Sequence, residues 1–229
     1  ERVSFTGSLG DPLAARLDLP AGPPRAFALF AHCFTCGKDL RSAGRIAAVL
    51  TSAGYGVLRF DFTGLGSSEG EFANTNFSSN TADLLAAVDW LRSTHEAPQL
   101  LVGHSLGGAA VLAIAGDVAE ARAMATIGAP PDVAHVLAVF DDAGDEIARE
   151  GEACVNVAGR PFTIKQQFLE DLTQHRVTER VAVMRTPLLL PPPKRRLHRL
   201  PRPMPSRPSS PTAPPPSKPT TPCSTTPTR

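Results

Sequence analysis

No run of about 18 uninterrupted apolar residues occurs in this sequence, so it offers no membrane-spanning helix and no membrane partner. There is no basic-then-apolar opening of the kind a secretory signal needs. The chain begins at Glu1 rather than Met, which reads as a fragment or a processed form. Four cysteines in 229 residues are too few for a disulfide-dense secreted scaffold. Charged residues are sparse at 20%, and beyond Leu190 aspartate and glutamate are absent altogether. What is present is a 42% apolar fraction, enough to bury the core of one ordinary globular domain with an appendage.

The formal net charge of +1 hides an asymmetry. Residues 191–229 hold eight of the 23 basic residues and none of the 22 acidic ones, leaving residues 1–190 with a net charge of −7. The same 39 residues hold 14 of the 23 prolines. Two kinds of polymer therefore meet near Leu190: a mildly acidic body and a Pro/Arg-rich tail that reads as disordered. The body lacks the basic footprint of a nucleic-acid-binding domain and reads as a soluble cytoplasmic one.

Along the body, apolar patterning alternates between two periods. Arg2–Thr6 and Leu13–Leu19 read as strands around a Gly10-Asp11 turn, Ala26–Ala31 as a buried strand, and Gly56–Phe60, Gln99–Val102 and Ala121–Ile127 as further strands. Leu40–Ala53 carries Ala43, Ile46, Ala47 and Leu50 at helical spacing, and Ala82–Arg92 carries Leu84, Leu85, Val88 and Leu91. Leu106–Ala115 is apolar nearly all round, as a buried helix would be. Strands alternating with helices predict an α/β fold with a mostly parallel central sheet covered on both faces. Residues 131–176 interrupt the rhythm with mixed charge and a helical segment around Phe162–Leu172; they read either as a cap-like helical insertion or as an ordinary surface helix pair.

Between the strand Gln99–Val102 and the helix Leu106–Ala115 stands Gly103-His104-Ser105-Leu106-Gly107. A serine on such a strand-to-helix bend lifts its hydroxyl clear of the sheet, while flanking glycines let strand and helix cross closely. The Leu106 N–H then lies at a helix start, where unpaired amides and the helix dipole favour a negative oxygen. Ser105 is accordingly the candidate nucleophile. A glycine-rich turn of this kind could also bind an anion with no covalent step.

A second oxyanion donor comes from the loop after an earlier strand, here Phe30-Ala31-His32-Cys33-Phe34, with the Phe34 N–H as the candidate. His32 precedes the serine and reads as ordering this loop rather than as a base. Asp61, in the glycine-rich run Asp61–Ser68, reads as a brace; that run lacks the lysine and spacing of a phosphate loop. Cys33 and Cys36 form a Cys-x-x-Cys, read as part of the loop's architecture, since a zinc site would need a second pair. Trp90 reads as a packing residue.

These segments resemble the α/β-hydrolase superfamily: the run from His32 through Gly70, then Gly103–Gly108, then Ile127-Gly128-Ala129-Pro130. AHCFTCGKDL, RFDFTGLGSSEGEFANTNFSSN, GHSLGGAAVL, ATIGAP and GRPFTIKQQFLEDL are most similar to the bacterial hydrolase domain associated with OsmC-like proteins, and beyond it to serine-aminopeptidase-like esterases. The resemblance covers about residues 1–190 and implies an eight-stranded sheet. It implies hydrolysis of a small-molecule ester, thioester or amide through an acyl-enzyme on Ser105, with the amides of Phe34 and Leu106 holding the oxyanion. His32, His104 and Asp61 support the loops, and no metal or other cofactor takes part. An OsmC-like domain is the implied partner; the non-catalytic alternative is a binding module of the same fold.

A serine hydroxyl needs a base, and the base an orienting carboxylate. The resemblance places the acid after the strand that Leu188–Leu190 begins and the histidine after one more strand. Beyond Leu190 the only histidine is His198, inside a basic, proline-rich run. In the body, Asp132, His135, His175 and His95 are the possible substitutes, with no spacing that brings them to Ser105. Activity is therefore expected to be impaired. Residues 191–229 read either as a misread ending of a hydrolase gene or as a genuine tail carrying the Pro-x-x-Pro element Pro205–Pro208. Either way an apolar sheet edge is expected at Leu188–Leu190, with a tendency to aggregate.

Overall fold

Two separate segments, the six residues Ala26–Ala31 and the eight residues Leu106–Ala113, are apolar or glycine at every position, and all but Ala113 are buried in the computed structural model. The structure describes residues 1–33, 36–130, 133, 137, 140–157 and 159–190. Its strands are β1 (Arg2–Thr6), β2 (Pro12–Asp18), β3 (Ala26–Ala31), β4 (Tyr55–Phe60), β5 (Pro98–His104) and β6 (Ala123–Ile127). The helices among them are α1 (Arg41–Ser52), α2 (Phe77–Thr94) and α3 (Leu106–Ala113). Then follow α4 (Gly144–Glu150), the strands β7 (Glu152–Val157) and β8 (Arg160–Lys165), α5 (Gln166–Gln174), α6 (Val177–Val183) and β9 (Leu188–Leu189).

The main sheet runs β1-β2-β4-β3-β5-β6-β9. The β1–β2 and β2–β4 pairs are antiparallel, and every pair from β4 to β9 is parallel. Parallel strands need crossovers, which α1, α2 and α3 supply; all six residues of β3 are buried, as befits a strand covered on both faces. The resemblance implied eight strands, and the described residues supply seven to this sheet. Among the described residues β9 is an edge, with Leu189 and Leu190 each 63% exposed. No described helix is long and apolar enough to cross a membrane.

Helix α2 starts five residues before the sequence reading placed it. Asn76 caps it reciprocally: the Ser79 N–H donates to Asn76 Oδ1 at 2.7 Å, and the Asn76 N–H donates to Ser79 Oγ at 3.0 Å. The segment expected as a helix over Phe162–Leu172 becomes one only at Gln166. Before that, Phe162 and Ile164 are buried in alternation with Thr163 and Lys165, the period of a strand, and β7 and β8 pair as a separate antiparallel hairpin. This insertion is therefore part hairpin, part helix. It rests on the short 3₁₀ turn Phe72–Asn74 through the Phe72–Phe162 ring contact (5.1 Å) and the bond from Lys165 Nζ to Asn74 Oδ1 (2.8 Å).

Candidate active site

Ser105 has φ 53° and ψ −123°, and no other non-glycine residue described has a positive φ. That backbone is unfavourable for a residue bearing a Cβ and is held only by its surroundings. The surroundings are backbone: the Ser105 N–H donates to the Ile127 carbonyl at 2.9 Å, and the Ser105 carbonyl accepts from Gly108 (2.9 Å) and Ala109 (3.2 Å). The bend joins the end of β5 to the start of α3, at the carboxyl end of the parallel strands, where open α/β sheets bind ligands.

Two glycines explain why the bend closes so tightly. A Cβ on Gly103 would stand 2.4 Å from the Gly108 Cα, and one on Gly107 would stand 2.2 Å from the His32 carbonyl oxygen and 2.6 Å from that of Ala31. Strand, helix and the loop after β3 thus meet through main chain alone. Ser105 itself is half-buried, and the N–H of buried Leu106 has no acceptor among the described residues. It is a free donor at a helix start, beside the serine. The other sequence candidate for this role, Phe34, lies outside the described residues.

Below the bend sits a polar network that sequence reading only half identified. Asp61, 1% exposed, accepts from Lys38 N (2.5 Å), Lys38 Nζ (2.7 Å) and Ser67 N (2.9 Å). Lys38 is itself buried, its carbonyl accepts from Arg59 Nη1, and Arg59 Nε reaches Asp18 Oδ2 at 2.8 Å. Asp83, fully buried, accepts from Ser8 N (2.8 Å), Ser8 Oγ (2.7 Å), Thr63 N (3.0 Å) and Thr63 Oγ1 (2.8 Å). It ties the first hairpin turn to the loop after β4. Lys38 and Asp83 were missed because a lone lysine and a helical aspartate ordinarily face water; Asp61 followed by glycines was the visible signal.

His32 is 1% exposed, with Nδ1 2.7 Å from the Cys33 carbonyl oxygen and Nε2 3.4 Å from the Phe62 nitrogen. The carbonyl can only accept and the amide can only donate, so Nδ1 carries the proton and the ring is neutral. Burial holds its pKa below the usual histidine value, opposed by the Cys33 hydrogen bond and the nearby Asp61 charge. His104 is half-buried and its pKa is also lowered by burial. Expected as a loop support, it makes no side-chain hydrogen bond among the described residues, and its Nδ1 is buried without a partner; strand pairing to Ile127 fixes its place.

Among the described residues no side chain hydrogen-bonds Ser105 Oγ. His95 stacks on Phe27 (5.2 Å) and meets Trp90 edge-on (5.8 Å) at the opposite end of the strands, and His175 bonds Ser78 Oγ (2.9 Å) at the start of α2. Asp132, His135 and His198 lie outside the described residues, as does the basic tail. No cluster of three or more potential metal ligands occurs among the described residues. Cys33 and Cys36 are joined as a disulfide.

A strained serine between a parallel strand and a buried helix, in a sheet of this order, defines an α/β hydrolase. The chain belongs to the alpha/beta hydrolase family, whose model matches residues 22–224. It is similar to the esterase domain of a Rhodothermus marinus protein, at 51% identity and a TM-score of 0.64, over 83% of this chain and 74% of that one. The mouse alpha/beta hydrolase domain-containing protein 10 shares the fold at 22% identity and a TM-score of 0.63, over 83% of this chain and 88% of that one. Segments also match the mitochondrial palmitoyl-protein thioesterase ABHD10, from rat at 34% identity over 80 residues and from human at 33% over 101 residues. Those matches cover 35% and 44% of this chain but only 26% and 32% of the thioesterases' length.

Proposed function

We propose that the chain is a serine hydrolase of esters or thioesters that passes through an acyl-enzyme on Ser105. The observation that carries this reading is the backbone at Ser105, φ 53° and ψ −123°, with the free Leu106 N–H beside it. The hydroxyl attacks the acyl carbon, the carbonyl oxygen becomes an oxyanion held by the Leu106 amide and by a second amide from the loop after β3, and the alcohol or thiol leaves. Water then releases the acid. His32 orders the loop and stays neutral; it is not the base. An acyl substrate is the chemistry shared by the names of the esterase and thioesterase relatives. An OsmC-like partner rests on the resemblance alone, and co-purification with such a domain tests it.

One observation favours the rival reading, a binding module of the same fold: no described histidine or carboxylate meets Ser105 Oγ. An unassisted hydroxyl is a poor nucleophile, so activity is expected to be weak. A fluorophosphonate probe decides. Covalent labelling of folded protein that disappears in Ser105→Ala supports the hydrolase; folded protein that stays unlabelled favours the binding module.

A further inference from the structure

The disulfide between Cys33 and Cys36 lies in the loop that abuts the serine bend, with Cα atoms 5.3 Å apart, an ordinary span for such a bond. Both cysteines are half-buried, so neither is sealed in the core. Its two flanks are anchored independently. On one side, buried His32 donates Nδ1–H to the Cys33 carbonyl. On the other, Lys38 is clamped to Asp61 through both its backbone N–H and its ammonium. The Cys36 N–H also donates to the Cys33 carbonyl at 3.1 Å. The fold is therefore held on either side without the disulfide. A bridge across so short a loop also removes little entropy from the unfolded chain, since that gain grows with loop length. What a bridge between positions 33 and 36 can act on is the local loop, whose described flanks abut the serine bend through the His32 carbonyl beside Gly107.

We propose that Cys33–Cys36 is a thiol–disulfide exchange site, taking small-molecule thiols or dithiols, whose state sets the order of the loop facing the serine. A thiolate attacks one cysteine Sγ, the S–S bond breaks, and the other cysteine departs as a thiolate that takes a proton from water. The second sulfur of a dithiol, or a second monothiol, then displaces the first cysteine. The reductant leaves as its own disulfide, and its two electrons reside on the two protein thiols. Oxidation runs the same steps backwards. The effect on the serine rests on the hydrolase reading above; the effect on the loop does not.

The test uses the full chain and dithiothreitol. Iodoacetamide mass shifts before and after dithiothreitol report whether the pair is joined, amide hydrogen exchange reports a peptide spanning residues 32–38, and fluorophosphonate labelling reports the serine. Cys33 and Cys36 should be protected from alkylation until reduced. Exchange in the peptide should then accelerate at least tenfold, and labelling should slow about tenfold, a partial loss of what a full oxyanion donor contributes. The variant Cys33→Ser/Cys36→Ser should match the exchange of the reduced protein in this peptide, and dithiothreitol should not change it further. A Cys33 or Cys36 thiol already free before reduction, or exchange unchanged after it, overturns the proposal. Faster exchange with labelling at its original rate overturns the coupling to the serine. Faster exchange with no labelling in either state supports the exchange site and overturns the hydrolase reading instead.

Discussion

Lys38 and Asp61 form a buried ion pair, Nζ to Oδ2 2.7 Å, directly beneath the loop that carries His32 and the disulfide. Removing Asp61 leaves the buried Lys38 ammonium with only the exposed Asp39 carboxylate at 3.4 Å, and losing a buried partner costs about 3–5 kcal/mol. Asp61→Ala is thus expected to lower unfolding free energy by that amount in urea titration. Replacing both partners together with apolar residues of similar volume should cost markedly less, because no uncompensated charge remains.

Gly107 admits no side chain. Its Cβ would fall on the carbonyl oxygens of Ala31 and His32, and backbone atoms cannot swing aside as a flexible side chain would. Gly107→Ala should destabilise by about 1–3 kcal/mol, the usual range for forced overpacking. It should also abolish fluorophosphonate labelling in whatever protein folds. Gly116→Ala, whose Cβ meets nothing within 4 Å, is the matched control and should leave labelling intact.

The backbone strain at Ser105 has a measurable size. Ser105→Ala keeps a Cβ at φ 53° and should leave stability near the parent's, whereas Ser105→Gly relieves the strain and should raise it by about 1 kcal/mol. Both lose the hydroxyl, so thermal melts of the pair separate strain from chemistry. A glycine variant no more stable than the alanine variant would remove the strain argument.

Acid should destabilise the fold through His32. Its folded pKa lies below the unfolded value of 6.5, so the unfolded chain binds the extra proton first. Stability is full above pH 6.5 and falls as pH drops below it, by at most about 1.4 kcal/mol per pH unit for this one group. His104 is lowered by burial too, so it acts in the same direction. Denaturation midpoints from pH 7.5 to pH 5 should show the decline, and His32→Gln should flatten it.

The sheet was legible because its strands are bounded by sharp composition changes. Ala26–Ala31 is the same segment in sequence reading and structure, and the buried helix after Ser105 begins where the apolar run begins. The start of α2 was hidden because Phe77–Thr81 holds polar, weak helix formers whose reciprocal cap at Asn76 and Ser79 does the work of periodicity. The hairpin β7–β8 was hidden for another reason: Pro161 and the Gly159 turn broke an alternation only a few residues long. At the site, Ser105 and Leu106 announced themselves through flanking glycines. Lys38 and Asp83 did not, since nothing local says that a charged side chain is headed inward to a partner 23 or 75 residues away.

The crossing of β5, α3 and the loop after β3 is made of peptide groups, with hydrogen in place of side chains at Gly103 and Gly107. Nothing at that junction depends on which residues line the approach to Ser105. Side chains around the approach can therefore be exchanged while the Ser105 hydroxyl keeps its station. A scaffold so divided lets its surface diverge without disturbing the bend.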